Sequence, residues 1–394
     1  MPLPAHATEA KPDSTFSGDG VAALNARGND FSFAVVPDGS HYYLVGGTEK
    51  NAKADCAFLA AKYGNRGRLD TSFGSRGVRT LTIGQTSCAT DATLLSDGRL
   101  LVSGWSATRR DLRATLAVFR PNGTLDRDFA GDGVFLKSLD GGIASPRVQV
   151  EPDGSIWFAW SEIRNWDKYY GKYQIAHIHP NGRLDSAFGQ RGIRSFAVRD
   201  VNVVADTGID PSGRLIVAGW SARTLKDPGL TALISVDNGE PTYQRSVNQW
   251  SAAGTFPISV DATPSGDVVV GTTPDDRPGW GAVRLNEQLR FDDTFSDNGM
   301  AEHACDCGSN TGVATPDGGV ILVGSKGRSD RTVLAGFTPA GRWDRQLAQF
   351  GPWNAVENWE VWHDAVLDNS GDLLLAGRGK QRTVDALIAR INLN

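Results

Sequence analysis

The sequence predicts an all-β fold assembled from one small repeated sheet, and three observations predict it. A polar turn that opens onto a short apolar run recurs at Pro37-Asp38-Gly39-Ser40, Ser96-Asp97-Gly98-Arg99, Pro152-Asp153-Gly154-Ser155, Pro211-Ser212-Gly213-Arg214, Pro264-Ser265-Gly266-Asp267, Pro316-Asp317-Gly318-Gly319 and Asn369-Ser370-Gly371-Asp372. Measured from the residue before each glycine, the copies lie 59, 56, 59, 53, 52 and 53 residues apart, the period of one structural unit used repeatedly. The runs that follow, such as Leu215-Ile216-Val217-Ala218 and Leu373-Leu374-Leu375-Ala376, do not alternate with polar residues. A strand reads that way when both its faces are covered.

Each unit has the same grammar. An apolar segment such as Phe33-Ala34-Val35-Val36 precedes the turn and another follows it, which is a hairpin. After a variable loop comes a third run, for example Leu116-Ala117-Val118-Phe119 or Ala386-Leu387-Ile388-Ala389. A second signature comes next: Leu69-Asp70-Thr71-Ser72-Phe73-Gly74, Leu125-Asp126-Arg127-Asp128-Phe129-Ala130 and Leu184-Asp185-Ser186-Ala187-Phe188-Gly189, with weaker copies at Phe291-Asp292-Asp293-Thr294-Phe295 and Arg342-Trp343-Asp344. The fourth unit lacks it, reading Asp237-Asn238-Gly239-Glu240. A short run such as Val78-Arg79-Thr80-Leu81 completes the unit. Four strands per unit, the second buried on both faces, describe the blade of a β-propeller, and seven units predict seven four-stranded blades. In the signature, aspartate is expected to bond local amides, phenylalanine to plug between sheets and glycine to permit positive φ.

The chain starts on Asp13-Ser14-Thr15-Phe16-Ser17-Gly18-Asp19-Gly20-Val21, a second half without a first, and ends on Ile388-Ala389-Arg390-Ile391-Asn392, a first half without a second. Joined, they make the seventh blade, so residues near Val21 to Leu24 are expected to supply its outer strand and close the ring. An open array would leave two uncovered apolar sides. The pair of motifs resembles the delta-60 repeat family of bacterial, mostly exported, propeller-like proteins, over nearly the whole chain. That resemblance implies no single reaction and no catalytic residue. One propeller domain over residues 13–394 is expected, with residues 1–12 a disordered remnant of an export signal region. Leu3-Pro4-Ala5-His6-Ala7 has the small-x-small form of a signal-peptidase site, although basic and apolar regions do not precede it.

The chain of 394 residues carries a formal charge of −5 with no long run of either sign, which gives no indication of a nucleic-acid or anionic-membrane partner. No stretch approaches the roughly 20 apolar residues of a membrane-crossing helix. A monomer is expected, in the periplasm or secreted, with a small molecule, a glycan or a protein as its partner.

In propellers the loops before strand one and between strands two and three share a face that usually carries function. Here those loops collect tryptophan and arginine. Trp105, Trp160 and Trp220 end three successive second strands and are read as equivalent positions, either packing between blades or forming the floor of a ligand site. Arg109, Arg164, Trp166 and Arg223 follow them, and Trp250, Trp353, Trp359 and Trp362 lie in loops leading to later first strands. Seven residues before the turn glycines stand Asp91, Asp206 and Asp364, with Ser32, Arg147, Ser259 and Thr311 in the other units. Facing the axis, these carboxylates would bind loop amides and water, or hold a divalent cation such as calcium. His363, beside Asp364, is the candidate base, whereas His177 and His179 are expected to be structural.

Cys56 and Cys88 fall in adjacent blades and are the favoured disulfide, which agrees with an oxidising compartment. Glu302-His303-Ala304-Cys305-Asp306-Cys307 lacks an evident fourth metal ligand, so a Cys305 to Cys307 bridge is expected in its place. No nucleophile motif, phosphate loop or zinc-binding histidine pair is present. The leading functional expectation is an extracytoplasmic binding or interaction propeller that uses the tryptophan and arginine loops. The alternative is a propeller hydrolase or lyase with axial carboxylates and His363, dependent on a cation.

Overall fold

The computed structural model describes residues 10–26, 28–49, 55–165, 170–224, 230–237, 240–247, 255–274, 278–326, 331–350, 353–356, 359–380 and 383–393. Every regular element among them is a β-strand, apart from one short 3-10 turn at Leu347–Gln349. The strands pair antiparallel with their sequence neighbours. Asn29–Asp38, His41–Glu49, Cys56–Gly64 and Val78–Leu81 form one four-stranded sheet, and Thr86–Leu94, Leu100–Ala107, Leu112–Phe119 and Val134–Ser138 form the next. An eight-stranded sheet covers the third and fourth units, from Gly142–Val150 to Glu240–Val247, and the strands of its two halves are paired through Tyr170 and Val201. The fifth unit is four-stranded, from Thr255–Ala262 to Met300–Ala304. The sixth has three strands: Cys307–Ala314, Val320–Lys326 and Thr332–Phe337.

The last sheet is completed from the other end of the chain. Val21–Leu24 pairs with Val384–Asn392, setting Val21 opposite Ala389 and Leu24 opposite Ala386. Lys11–Pro12 extends the same edge, and the Arg390 guanidinium lies 3.3 Å from the Asp13 carboxylate. This sheet also touches the first: the Ser32 hydroxyl donates to the carbonyls of Gly377 and Leu387. The second strands are buried on both faces, as their unbroken apolar runs require, and Leu101, Val217, Val270 and Leu375 are all 1% exposed or less.

The second signature builds the outer corners. Phe16, Phe73, Phe129 and Phe295 are fully buried plugs between sheets. The backbone beside each plug docks on the outer turn of the next sheet: the Gly74 amide donates to Asn122, that of Ala130 to Asn181, and that of Ser296 to Ala340. At the join of last sheet to first, the Ser17 amide donates to the Arg66 carbonyl at 2.9 Å. The signature aspartates are held by cations from the third strand or turn, with Asp292 on Arg284 and Asp126 on Arg99 and Arg120. His177 takes this place in the third unit, its two ring nitrogens each 2.9 Å from a carboxylate, Asp185 and Glu151. The expected structural role of these corners follows from those contacts.

Candidate functional site

The first strand of each unit carries an irregularity at a matching place. Pairing skips Phe33, Thr90, Ala205, Ile258, Asn310 and His363 in six units, and Ser145 with Pro146 in the third. Such bulges bend a strand and re-aim the residue that follows. The partner strand accommodates the bend with a residue lacking a side chain. A Cβ on Gly104 would lie 2.1 Å from the Cys88 carbonyl oxygen, and one on Gly377 2.2 Å from that of Val361. At Gly46, Gly104, Gly324 and Gly377 the glycine is therefore dictated by the bulged strand opposite it, whereas the third unit carries Trp160 at this place.

After the bulges come Ala34, Asp91, Arg147, Asp206, Ser259, Thr311 and Asp364. The alignment corrects the first unit, where Ala34 and not Ser32 holds this position. Its hairpin is tighter, with Asp38 paired to His41 where the second unit pairs Leu94 with Leu100. All seven of these strands contribute to a cavity of about 230 Å³ walled by Asp91, Arg147, Asp206, Asp261 and Asp364, with Phe33 and His363 at the bulge level.

The carboxylates also tie neighbouring first strands together. Asp364 accepts from the Val35 amide at 2.8 Å, Asp91 from Val148 at 2.8 Å, Asp206 from Val260 at 2.9 Å and Asp261 from Ala314 at 2.9 Å. Asp261 was absent from the sequence expectation because it stands two residues beyond the repeating position. The period of two along a strand was the available signal, since it puts Asp261 and Ser259 on one face.

Burial dominates the electrostatics. It pushes Asp91 and Asp261 up to about 7 and Asp364 to about 6, with further upward pressure from the neighbouring carboxylates. Asp206 is raised by the same burial, against the pull of the Arg147 guanidinium 3.6 Å away. Burial and the positive charges of Arg378 and Arg147 lower His363 to about 4. Its ring packs 4.8 Å from that of Phe33, and it is a weak base at neutral pH. The affinity that a general base or acid needs near neutrality belongs to Asp91 and Asp261 instead.

Among the described residues, Trp105, Trp160 and Trp220 do not come together as a floor. Trp160 is 1% exposed, Trp220 8% and Trp362 1%. Trp160 is also out of register with the other two: the wider bulge in the third unit aligns it with Gly104 and Gly219, whereas Trp105 aligns with Trp220. Trp160 packs on Phe158, and Trp220 stacks on Phe256 of the next sheet at 5.0 Å. Trp105 is half-buried against Phe31 and the Cys56–Cys88 pair. Trp362 donates its indole N–H to the Thr332 hydroxyl and lies parallel to the half-buried Trp353. Trp359 is half-buried beneath the Arg378 guanidinium. Arg109, Arg164 and Arg223 are exposed, and Trp166 and Trp250 lie outside the described residues. A tryptophan after the strand-two glycine thus points between sheets.

Cys56 is bonded to Cys88 across two sheets, with Cα atoms 5.6 Å apart, and Cys305 is bonded to Cys307, with Cα atoms 5.2 Å apart. Among the described residues, no three His, Cys, Asp or Glu side chains are grouped so as to hold a metal ion, and no helix is long and apolar enough to cross a membrane.

No family model matches the sequence, and none of the curated proteins does. Solved structures do resemble it. A puromycin hydrolase is 16% identical with a TM-score of 0.50 over 94% of this chain, which spans 56% of that one. A protein of unknown function from Dyadobacter fermentans DSM 18053 is 11% identical, with a TM-score of 0.51 over 95% of this chain and 100% of the other. The β-propeller domain of the Trilobed protease from Pyrococcus furiosus is 9% identical, with a TM-score of 0.50 over 92% and 94% of the two chains. At such identities a likeness carries the fold and nothing of the chemistry, and the fold it gives this chain is the β-propeller.

Proposed function

We propose that the protein is a ligand-binding propeller of seven blades, closed by its first and last strands, that takes a small organic cation into its axial cavity. One observation carries the reading: four carboxylates share about 230 Å³ with a single guanidinium. Burial, and after it the neighbouring carboxylates, resists ionisation here, which is why Asp91 and Asp261 stand near 7. A cation in their midst reverses that balance, returns the carboxyls to their ionised state and displaces their protons. Phe33 offers a ring face to such a ligand, and Gln149, Thr207 and Thr311 offer hydrogen-bonding groups. The spread of the carboxylates, none grouped to hold a metal, favours an ammonium compound over a bare ion. An extracytoplasmic setting and membership of the delta-60 repeat family belong to the same proposal, supported by the two disulfides and the repeat pattern.

Calorimetric titration of the purified chain with a panel of primary and quaternary ammonium compounds at pH 8 tests it. At least one is expected to bind, and to bind at least tenfold more weakly to the Asp91→Asn/Asp261→Asn variant. If no compound binds, or the variant binds equally well, the reading fails.

The neutral-range carboxyls also favour a second reading, a hydrolase or lyase working by acid–base chemistry at Asp91 and Asp261. Turnover of lactone, ester or uronate substrates that disappears in Asp91→Asn separates it from simple binding.

A further inference from the structure

The two disulfides are unlike in what they can do for the fold. Cys56–Cys88 encloses a sequence separation of 32 and ties one sheet to the next. Cys305–Cys307 has a separation of 2, and its ends stay close in any conformation of the chain. Stabilisation by loop closure grows with the length enclosed, so the second bond constrains the unfolded chain hardly at all. A bond that staples so little invites a chemical explanation.

Its surroundings supply one. The two cysteines lie at the bend between Met300–Ala304 and Cys307–Ala314, and Cys307 is 7% exposed while Cys305 is only half-buried. Cys305 is thus the more exposed residue of the pair. Both line a cavity of about 300 Å³ with Trp280, His303, Trp343 and Phe350. His303 and Trp343 stack at 3.8 Å and 15°, giving the cavity a flat wall. The far wall is residues 333–335 of the sixth unit's last strand.

That strand, Thr332–Phe337, pairs on one side with Val320–Lys326. On its other side it meets bridges at its ends, Thr332 to Trp353 and Phe337 to Trp343, the Asp344 amide, which donates to the Gly336 carbonyl, and the 3-10 turn Leu347–Gln349, whose Leu347 packs on the buried Leu334. Between them no fourth strand lies against residues 333–335 among the described residues, although the first, second and fifth sheets each carry one. An unpaired strand edge is a template for an extended chain. Here it borders the Cys305–Cys307 disulfide.

We propose that Cys305 and Cys307 form a thiol–disulfide exchange site that oxidises two cysteines of an extended peptide segment seated along residues 333–335. A thiolate of the peptide attacks Cys305 Sγ, forming a mixed disulfide and expelling Cys307 as a thiolate. The second peptide thiol, on losing its proton to solvent, attacks the peptide sulfur of the mixed disulfide and expels Cys305. The peptide leaves with its own disulfide, and its two electrons remain on the Cys305–Cys307 dithiol. Oxidised glutathione, accepting those electrons, restores the bond.

The full-length protein, equilibrated with mixtures of reduced and oxidised glutathione, alkylated and mapped by mass, tests this directly. Cys305–Cys307 is expected to exchange in the folded protein while Cys56–Cys88 stays closed. Cys307→Ser is expected to trap glutathione on Cys305. A reduced two-cysteine peptide rich in valine and threonine, with oxidised glutathione present, is expected to oxidise at least tenfold faster with the native chain than with Cys305→Ala/Cys307→Ala. That double variant is expected to keep the native melting temperature. Exchange no faster than at Cys56–Cys88, equal peptide oxidation with the double variant, or a large fall in its melting temperature would each overturn the proposal.

Discussion

Replacing Asp261 by asparagine removes a charge and keeps both the volume and the acceptor oxygen that meets the Ala314 amide. In the folded protein this carboxyl is pushed up to about 7 from the ordinary 3.8, by burial first and then by the Asp206 charge. A raised folded-state value means that the native state holds the proton more tightly than the unfolded chain. The stability this contributes is complete below about pH 4 and is lost as pH climbs through 7. At pH 8 the group is ionised in both states, and three pKa units at about 1.4 kcal/mol each set its cost near 4 kcal/mol. At pH 5 it is protonated only in the folded state, and the cost falls to about 1–2 kcal/mol. Asp261→Asn is therefore expected to be more stable than the native protein at pH 8, with an advantage about 2–3 kcal/mol smaller at pH 5. Urea unfolding at the two pH values, followed by tryptophan fluorescence, measures that difference. An advantage that does not grow with pH, or a variant less stable than native at pH 8, would refute the reasoning.

Other outcomes follow from the packing. Cys56→Ser/Cys88→Ser should lose about 3–4 kcal/mol by loop-closure entropy over a separation of 32, read as a lower melting temperature under non-reducing conditions. Trp362→Ala, which empties a fully buried site, should cost about 3–5 kcal/mol in urea unfolding, while Trp359→Ala at a half-buried site should cost much less. Gly104→Ala should impair folding, because its Cβ would meet the Cys88 carbonyl at 2.1 Å, and soluble yield with circular dichroism reports it.

The strand order, the pairing of the two chain ends and the Cys56–Cys88 bond were all legible in the sequence, because each depends on a local pattern that repeats. The turn glycines announce the hairpins, and the orphaned half-units at Phe16 and Ile388 announce their partnership. The site was less legible because sequence offsets do not register bulges or turn lengths. The shorter first hairpin moved the axial position from Ser32 to Ala34, and two skipped residues moved Trp160 onto the opposite side of its strand from Trp220. Asp261 was hidden by being two positions late, and only the structure puts it among the other carboxylates. That no fourth strand of the sixth unit stands among the described residues had a trace in the divergent Arg342-Trp343-Asp344, but nothing local said what the edge would border.

The most direct test of the axial cavity is the proton count on binding. Calorimetry of the tightest ammonium compound at pH 7, in buffers of different ionisation enthalpy, measures how many protons leave as the ligand enters. The account predicts net release, diminished in Asp91→Asn and in Asp261→Asn. Binding that releases no protons, with an enthalpy the same in every buffer, would contradict it.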